Sequence, residues 1–136
     1  MARSRATAKQ AGSWMETKTV LHLRAGLARL PFAEFITREP KAGSKDRGDI
    51  ANVRLPDGRP LAIEVKNTSR PTLGPWLKEA EAERINAGAA AACVIHKRVG
   101  VGEKNMGEQM VTMTLDDLIV ILGGERPTLG QEVDER

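Results

Sequence analysis

The stretch RGDIANVRLPDGRPLAIEVKN, residues 47–67, decides the fold that we predict for this chain. Its centre holds Asp57-Gly58, and this dipeptide between alternating apolar residues is the strongest short signal for a two-residue β-hairpin turn. With those two residues as the turn, the numbers of paired residues add up to 115. The register of the hairpin is then fixed along its whole length.

This register assigns every hairpin side chain to one face of the sheet. Ala51 pairs with Glu64, and Asp49 pairs with Lys66. Directly opposed residues share a face, so Asp49, Glu64 and Lys66 project from the same side. The opposite side, which an apolar core covers, receives Leu61, Ile63 and Val65. A three-residue turn instead shifts the pairing by one residue and separates Asp49 from Glu64.

Carboxylates that converge above a sheet are oxygen ligands of the kind that Mg²⁺ and Mn²⁺ prefer. The main-chain carbonyl of Val65 is a candidate third ligand. Lys66 is placed to orient an attacking water or to balance charge that builds on a phosphate. This constellation suits hydrolysis of a phosphodiester. Spacing alone also fits a solvated polar ribbon in which Lys66 and Asp49 form an ordinary cross-strand ion pair.

Composition and charge narrow the class of protein. The 136 residues suit one domain, and aromatic residues are only 3%, so no aromatic platform for stacking bases is expected. Residues 1–50 carry ten Lys/Arg against five Asp/Glu, whereas residues 51–136 carry eleven against thirteen. The basic half favours a polyanionic partner, although a solubilising face explains the charge equally well. The single cysteine, Cys93, and the lack of a long apolar run predict a soluble, cytoplasmic protein.

Periodicity and turn residues predict the order α-β-β-β-α-β-β-α. The first helix starts at an N-cap, Ser13, and Gly88 ends the second helix. Thr114 caps the last helix. We expect residues 1–11 to be a flexible basic arm, residues 12–122 a single domain and residues 123–136 a polar tail.

The polar residues of the hairpin, Asp49, Glu64 and Lys66, resemble the active-site motif of the PD-(D/E)xK nuclease superfamily. Gly48-Asp49 stands where that family has Pro-Asp, and Glu64-Val65-Lys66 matches its (D/E)xK element. The segments GSWMETKTVLHLR, GSKDRGDI and IEVKN further resemble archaeal-type and phage Holliday junction resolvases over roughly residues 12–96. The resemblance implies an α/β, restriction-endonuclease-like α-β-β-β-α-β core with a central mixed sheet flanked by helices. It also implies a Mg²⁺ (or Mn²⁺) cofactor.

The resemblance implies further site residues. Glu16 on the first helix matches a glutamate that completes the site, although Ser13 and Glu16 also form a capping box. Asp46 is the rival of Asp49 as metal ligand. Glu79 on the second helix is a candidate beside the metal, or else part of a solvated helix face that includes Glu81 and Glu83. Apart from the resemblance, four basic residues surround the predicted site and are expected to hold DNA phosphates by charge, although each of them could equally be an ordinary exposed residue: Arg38, Lys45, Arg47 and Arg70.

The expected activity is that of a Mg²⁺-dependent endonuclease on four-way DNA junctions, in recombination, repair or phage DNA packaging. Symmetric cutting of a junction implies a homodimer, with the apolar C-terminal helix LDDLIVIL as part of the interface or of the monomer core. Three alternatives stay open: a general nuclease on the same fold, a DNA-binding module without catalysis, and a structural or interaction protein that binds no metal.

Overall fold

The computed structural model describes residues 4–40 and 45–128. The helices are α1 (Arg5–Gly26), α2 (Leu73–Ala87) and α3 (Leu115–Ile121), with short 3-10 helices at Ala33–Phe35 and Glu103–Glu108. The strands are β1 (Thr37–Arg38), β2 (Ile50–Ala51), β3 (Leu61–Lys66), β4 (Ala91–His96) and β5 (Met110–Thr112).

The strands form one sheet in the order β1-β2-β3-β4-β5. β3 and β4 are parallel, and the other neighbouring pairs are antiparallel. The α/β class with a mixed sheet flanked by helices is therefore confirmed, and the helices and strands follow one another as the sequence predicts. The likeness to a restriction-endonuclease core stays a prediction.

The central strand β3 is buried on both faces because a helix covers each of them. Ile63 and Val65 pack with Met15 of α1 in one apolar cluster. On the other face, Ala62 packs with Trp76 of α2 in a second cluster. Since side chains alternate along a strand, Glu64 and Lys66 point to the α2 face, on the same side as Ala62.

The N-cap of helix α1 lies nine residues earlier than predicted. It is Ser4, whose hydroxyl oxygen accepts a hydrogen bond from the Thr7 amide at 3.1 Å. Ser13 lies inside the helix, where it cannot act as an N-cap, so the capping-box role for Glu16 is wrong. Residues 5–11, expected in an irregular arm, are helical.

The predicted two-residue hairpin turn is wrong. Gly58 N–H donates to the Leu55 carbonyl at 2.9 Å, Leu55 N–H donates to Arg59, and Arg54 lies opposite Pro60. This is a three-residue turn in which Gly58 has a φ of 92°. A type I turn followed by a left-handed glycine is the usual three-residue hairpin connection. The pairing is therefore shifted by one residue at this point.

A second irregularity shifts the pairing again. Between the Ile50–Ile63 and Arg54–Pro60 pairs, one strand has three residues and its partner has two. The extra residue is accommodated at Asn52, which has a φ of 69° and donates from its side chain to the Phe35 carbonyl. The two shifts together equal two residues, so Asp49 and Glu64 share a face, although the pairs Asp49–Lys66 and Ala51–Glu64 do not form.

Two predicted helix boundaries, at Gly88 and Thr114, agree with the structure. Gly88 ends α2 in a left-handed conformation, and the Thr114 hydroxyl caps α3 by accepting from the Asp117 amide. Helix α3 buries Val120 against Leu55 and Ala91. Residues 129–136 of the expected polar tail, like residues 41–44 of the basic loop, lie outside the described residues.

Candidate metal centre

Four carboxylates converge between β3 and α2. Asp46 comes from the loop before β2, Glu64 from β3, and Glu79 and Glu83 from α2, and one oxygen of each lies within 4.8 Å of the others. We call these four residues the acidic cluster. Glu64 and Glu83 are buried, with 6% and 1% of their surface exposed, whereas the Glu79 side chain is 41% exposed.

The buried oxygens of the acidic cluster lack partners. Within residues 4–40 and 45–128, Oε2 of Glu64 and both carboxylate oxygens of Glu83 have no hydrogen-bond donor. A buried carboxylate without a donor is costly unless it takes up a proton or meets a cation. A positive charge between the two glutamates would therefore stabilise both carboxylates.

The raised pKa values of Glu64 and Glu83 also indicate that the site favours positive charge. Burial, the adjacent carboxyl group of Glu83 and the charge of Asp49 raise the pKa of Glu64 to about 11. Burial and the charges of Asp46, Glu79 and Asp49 raise the pKa of Glu83 to about 7, although the adjacent carboxyl group of Glu64 acts in the opposite direction. Raised pKa values of this kind mean that the acidic cluster favours binding a proton, which a divalent cation could displace.

Lys66 supplies the one cation that we predicted here. Its Nζ donates to Oε2 of Glu79 at 2.9 Å and lies 3.4 Å from Oε1 of Glu64. Burial acts to lower the pKa of Lys66, but the hydrogen bond to Glu79 and the charge of Glu64 outweigh it and the pKa is raised. Lys66 is therefore an ammonium donor held at the edge of the acidic cluster.

Asp49 lies beside Glu64 without belonging to the acidic cluster. Its Oδ2 accepts a hydrogen bond from the Val65 amide at 2.8 Å, and its charge contributes to the raised pKa of Glu64. Asp46, which we treated as the rival ligand, is inside the cluster. Its side chain accepts from Gly48 N–H, and Asn86 of α2 donates to its carbonyl. Asp46, rather than Asp49, therefore shares the acidic cluster with Glu64.

The Gly48-Asp49 pair departs from the Pro-Asp of the resembled family for a structural reason. Gly48 has a φ of 99°, which proline cannot adopt, and a Cβ there would lie 2.8 Å from the Ile63 carbonyl oxygen. Glycine lets the chain approach β3 closely, and Asp49 N–H then donates to that same carbonyl at 2.7 Å. The close approach positions the Asp49 carboxylate over Val65.

Val65 stays a candidate main-chain ligand. Its N–H donates toward β2, to Asp49, whereas the carbonyl of the next residue, Lys66, accepts from Lys97 on the β4 side. In an extended strand the N–H and C=O of one residue point the same way, so the Val65 carbonyl also faces the side of Asp49.

The structure does not bring Glu16 into the acidic cluster. Glu16 is buried on α1, and its Oε1 lies 3.7 Å from Nε of Arg38. Helix α1 covers the face of β3 that carries Ile63 and Val65, opposite to the α2 face on which Glu64 lies. Its catalytic role therefore stays a prediction without support from these distances.

The predicted DNA-binding residues have different surroundings. Arg38 is held by Glu16 and by the hydroxyl of Ser13, at 3.0 Å from Nη2. Lys45 and Arg47 are exposed on either side of Asp46, and Arg70 is exposed in the loop after β3. The last three leave cationic side chains accessible near the acidic cluster.

Sequence reasoning missed Glu83. The charges of α2 were interpreted mainly as a solvated face, yet Trp76, Ala80 and Glu83 are 7%, 3% and 1% exposed. Their spacing of four and three residues is that of one buried helical stripe. The ring of Trp76 also packs at 5.2 Å from the ring of His96. The stripe was the signal that Glu83 faces inward.

Comparison with known proteins finds no matching family model, no matching curated protein and no matching solved structure. Across the described part of the chain, no helix has both the length and the apolar character needed to cross a membrane. The function is therefore argued from the site itself.

Proposed function

We propose that this chain is a Mg²⁺-dependent DNA endonuclease that hydrolyses phosphodiester bonds, with four-way junctions as its substrate. One observation carries the proposal. Glu64 and Glu83 are buried side by side, and three of their four carboxylate oxygens have no donor among the described residues; two aspartates and an ammonium group, Lys66, lie beside them. Oxygen donors of this number and charge suit Mg²⁺ or Mn²⁺ rather than a soft metal.

The donor set fits a hard divalent ion. Asp46, Glu64 and Glu83 would hold it, with Asp49 and the Val65 carbonyl as further oxygen donors. When bound, the ion supplies Lewis-acid charge and lowers the pKa of water. The deficit of donors around Glu83 is what an ion would relieve.

Side chains of the protein would orient the water, stabilise the phosphate and attract the DNA. Lys66 donates hydrogen bonds, so it can orient an attacking water and stabilise negative charge on the phosphate. Glu79 fixes the Lys66 ammonium through its 2.9 Å hydrogen bond and so positions it. Lys45, Arg47 and Arg70 would attract the DNA backbone to this edge of the sheet.

A second copy of the chain completes the proposal, because paired cuts in a junction require two sites related by a two-fold axis. Helix α3 presents Leu115, Leu118 and Leu122 outward, at 72%, 40% and 76% exposure. The edge strand β5, which precedes α3 in the chain, exposes Met110 and Val111. Exposed apolar stripes of this kind favour an interface, so we assign this face to the homodimer.

The test is cleavage of labelled DNA with Mg²⁺, comparing a mobile four-way junction, linear duplex and single strand. Glu64→Gln and Lys66→Ala should abolish cutting, and the exposed control variants Glu108→Gln and Lys104→Ala should not. Paired nicks in the junction alone support the resolvase. Cutting of linear DNA instead supports a general nuclease, and metal-independent binding without cutting supports a non-catalytic DNA-binding module.

A further inference from the structure

The first two turns of α1 extend beyond the body of the protein. Residues 4–10 are exposed, whereas the helix becomes partly buried from Ala11 onward. Residues 5–11 cover about 10 Å at 1.5 Å per residue. We call residues 5–11 the overhang.

A hydrogen bond fixes where the overhang begins. The Asn67 side chain donates from Nδ2 to the Ala11 carbonyl at 2.9 Å. Asn67 directly follows Lys66, at the end of β3 that carries the acidic cluster. The overhang therefore starts at the end of β3 that carries Glu64 and Lys66.

The charge of the overhang is opposite to what a helix start favours. The first turn holds no acidic residue, and the sequence has no Asp or Glu before Glu16. Instead, Arg5 and Lys9 are four residues apart, so they lie on the same side of the helix. Arg5 lies in the first turn, where the positive end of the helix dipole disfavours a cation, and Lys9 lies one turn further on. An anionic partner removes the conflict.

We propose that the overhang is a DNA-binding element in which Arg5 and Lys9 bind backbone phosphates beside the cleaved position. This inference rests on the proposed nuclease function. The length of the overhang matches about three phosphates along one strand at 3.4 Å per nucleotide. Phosphate contacts set the position of a protein on DNA without reading its sequence, which suits an enzyme that recognises the shape of a junction.

Binding of a labelled four-way junction tests the overhang, with every protein in the Glu64→Gln background so that the DNA is not cut. Arg5→Ala with Lys9→Ala should weaken binding on the order of tenfold near 0.1 M salt. The slope of log K against log salt should fall by about two, because each lost phosphate contact removes about 0.9. Arg5→Lys with Lys9→Arg keeps both charges and should bind like the parent.

The matched control is Arg29→Ala with Arg59→Ala, which removes the same charge at the hairpin end of β3. Helical circular dichroism and melting establish that each variant is folded. An equal loss of affinity in both double variants, or an unchanged slope in the overhang variant, overturns the inference.

The two proposals fail separately. If the wild-type protein cuts DNA but the overhang variant binds normally, the overhang role is wrong and the nuclease stands. If the overhang variant loses affinity and slope but the wild-type protein cuts no DNA, the overhang role stands and the nuclease is wrong.

Discussion

Replacing Glu83 with glutamine should stabilise the metal-free protein and weaken metal binding at the same time. Glu83 is 1% exposed, and its carboxylate has no donor within the described residues. Its folded-state pKa is about 7, compared with a usual value of 4.5. Folding therefore forces the group either to keep a proton or to remain charged without a partner.

The sign and size of the effect follow from this difference in pKa. A raised pKa means that the folded state binds the Glu83 proton more tightly than the unfolded state does. The contribution of this proton to the free energy of unfolding is complete below pH 4.5 and is lost as pH rises through 7. At 1.36 kcal/mol per pKa unit, the loss is about 1 kcal/mol at pH 5 and about 3 kcal/mol at pH 8. Glutamine does not ionise, and its amide can donate to the unpartnered Oε2 of Glu64.

Thermal melting at pH 5 and pH 8, with EDTA or with Mg²⁺, measures both effects. In EDTA at pH 8, Glu83→Gln should melt on the order of 10 °C higher than wild type, and at pH 5 the difference should shrink to a few degrees. Added Mg²⁺ should raise the melting temperature of wild type, more at pH 8 than at pH 5, and should raise that of the variant much less.

Glu81→Gln is the control on the same helix. Its hydrogen bond with Arg84 lowers the pKa of Glu81, so its loss should destabilise the protein slightly at pH 8. A Glu83→Gln variant that is less stable than wild type in EDTA at pH 8, or that keeps the full Mg²⁺ shift, refutes the reasoning.

Three other changes have expected outcomes. Lys66→Ala should lower the cleavage rate by about a hundredfold or more while the Mg²⁺-induced melting shift remains, and an unchanged rate excludes it from the reaction. Gly48→Ala should destabilise by about 2 kcal/mol or more in urea unfolding, because its Cβ meets the Ile63 carbonyl at 2.8 Å. Gly74→Ala, with open space around it, should be tolerated. Leu118→Glu should convert the proposed dimer into monomers in sedimentation, and a dimer that persists places the interface elsewhere.

Local signals predicted the helices and strands well. Gly88 and Thr114 mark helix ends through chemistry that depends only on neighbouring residues, and both act as expected. The start of α1 was missed because Ser4 and Ser13 are equally good caps in isolation. An early start leaves residues 5–11 without core contacts, so apolar periodicity could not reveal it.

The acidic cluster was only partly predictable because burial depends on packing between distant elements. Glu64 was found from its strand neighbours, but Glu83 is buried because α2 lies over β3. In sequence, Glu83 belongs to a run of charged residues that is typical of an exposed helix. Only the spacing from Trp76 and Ala80 separates it from Glu79 and Glu81.

In the hairpin, the predicted pairing of residues is wrong, yet the predicted face of the sheet for Asp49 and Glu64 is right. Pro56 has a fixed φ suited to the first central position of a type I turn, which favours the three-residue connection over the two-residue turn. That turn alone would separate Asp49 from Glu64. The extra residue at Asn52, a residue type that tolerates positive φ, shifts the pairing once more and restores the shared face. Whether two side chains lie on the same face of the sheet, rather than which residue pairs with which, therefore decides whether the site can form.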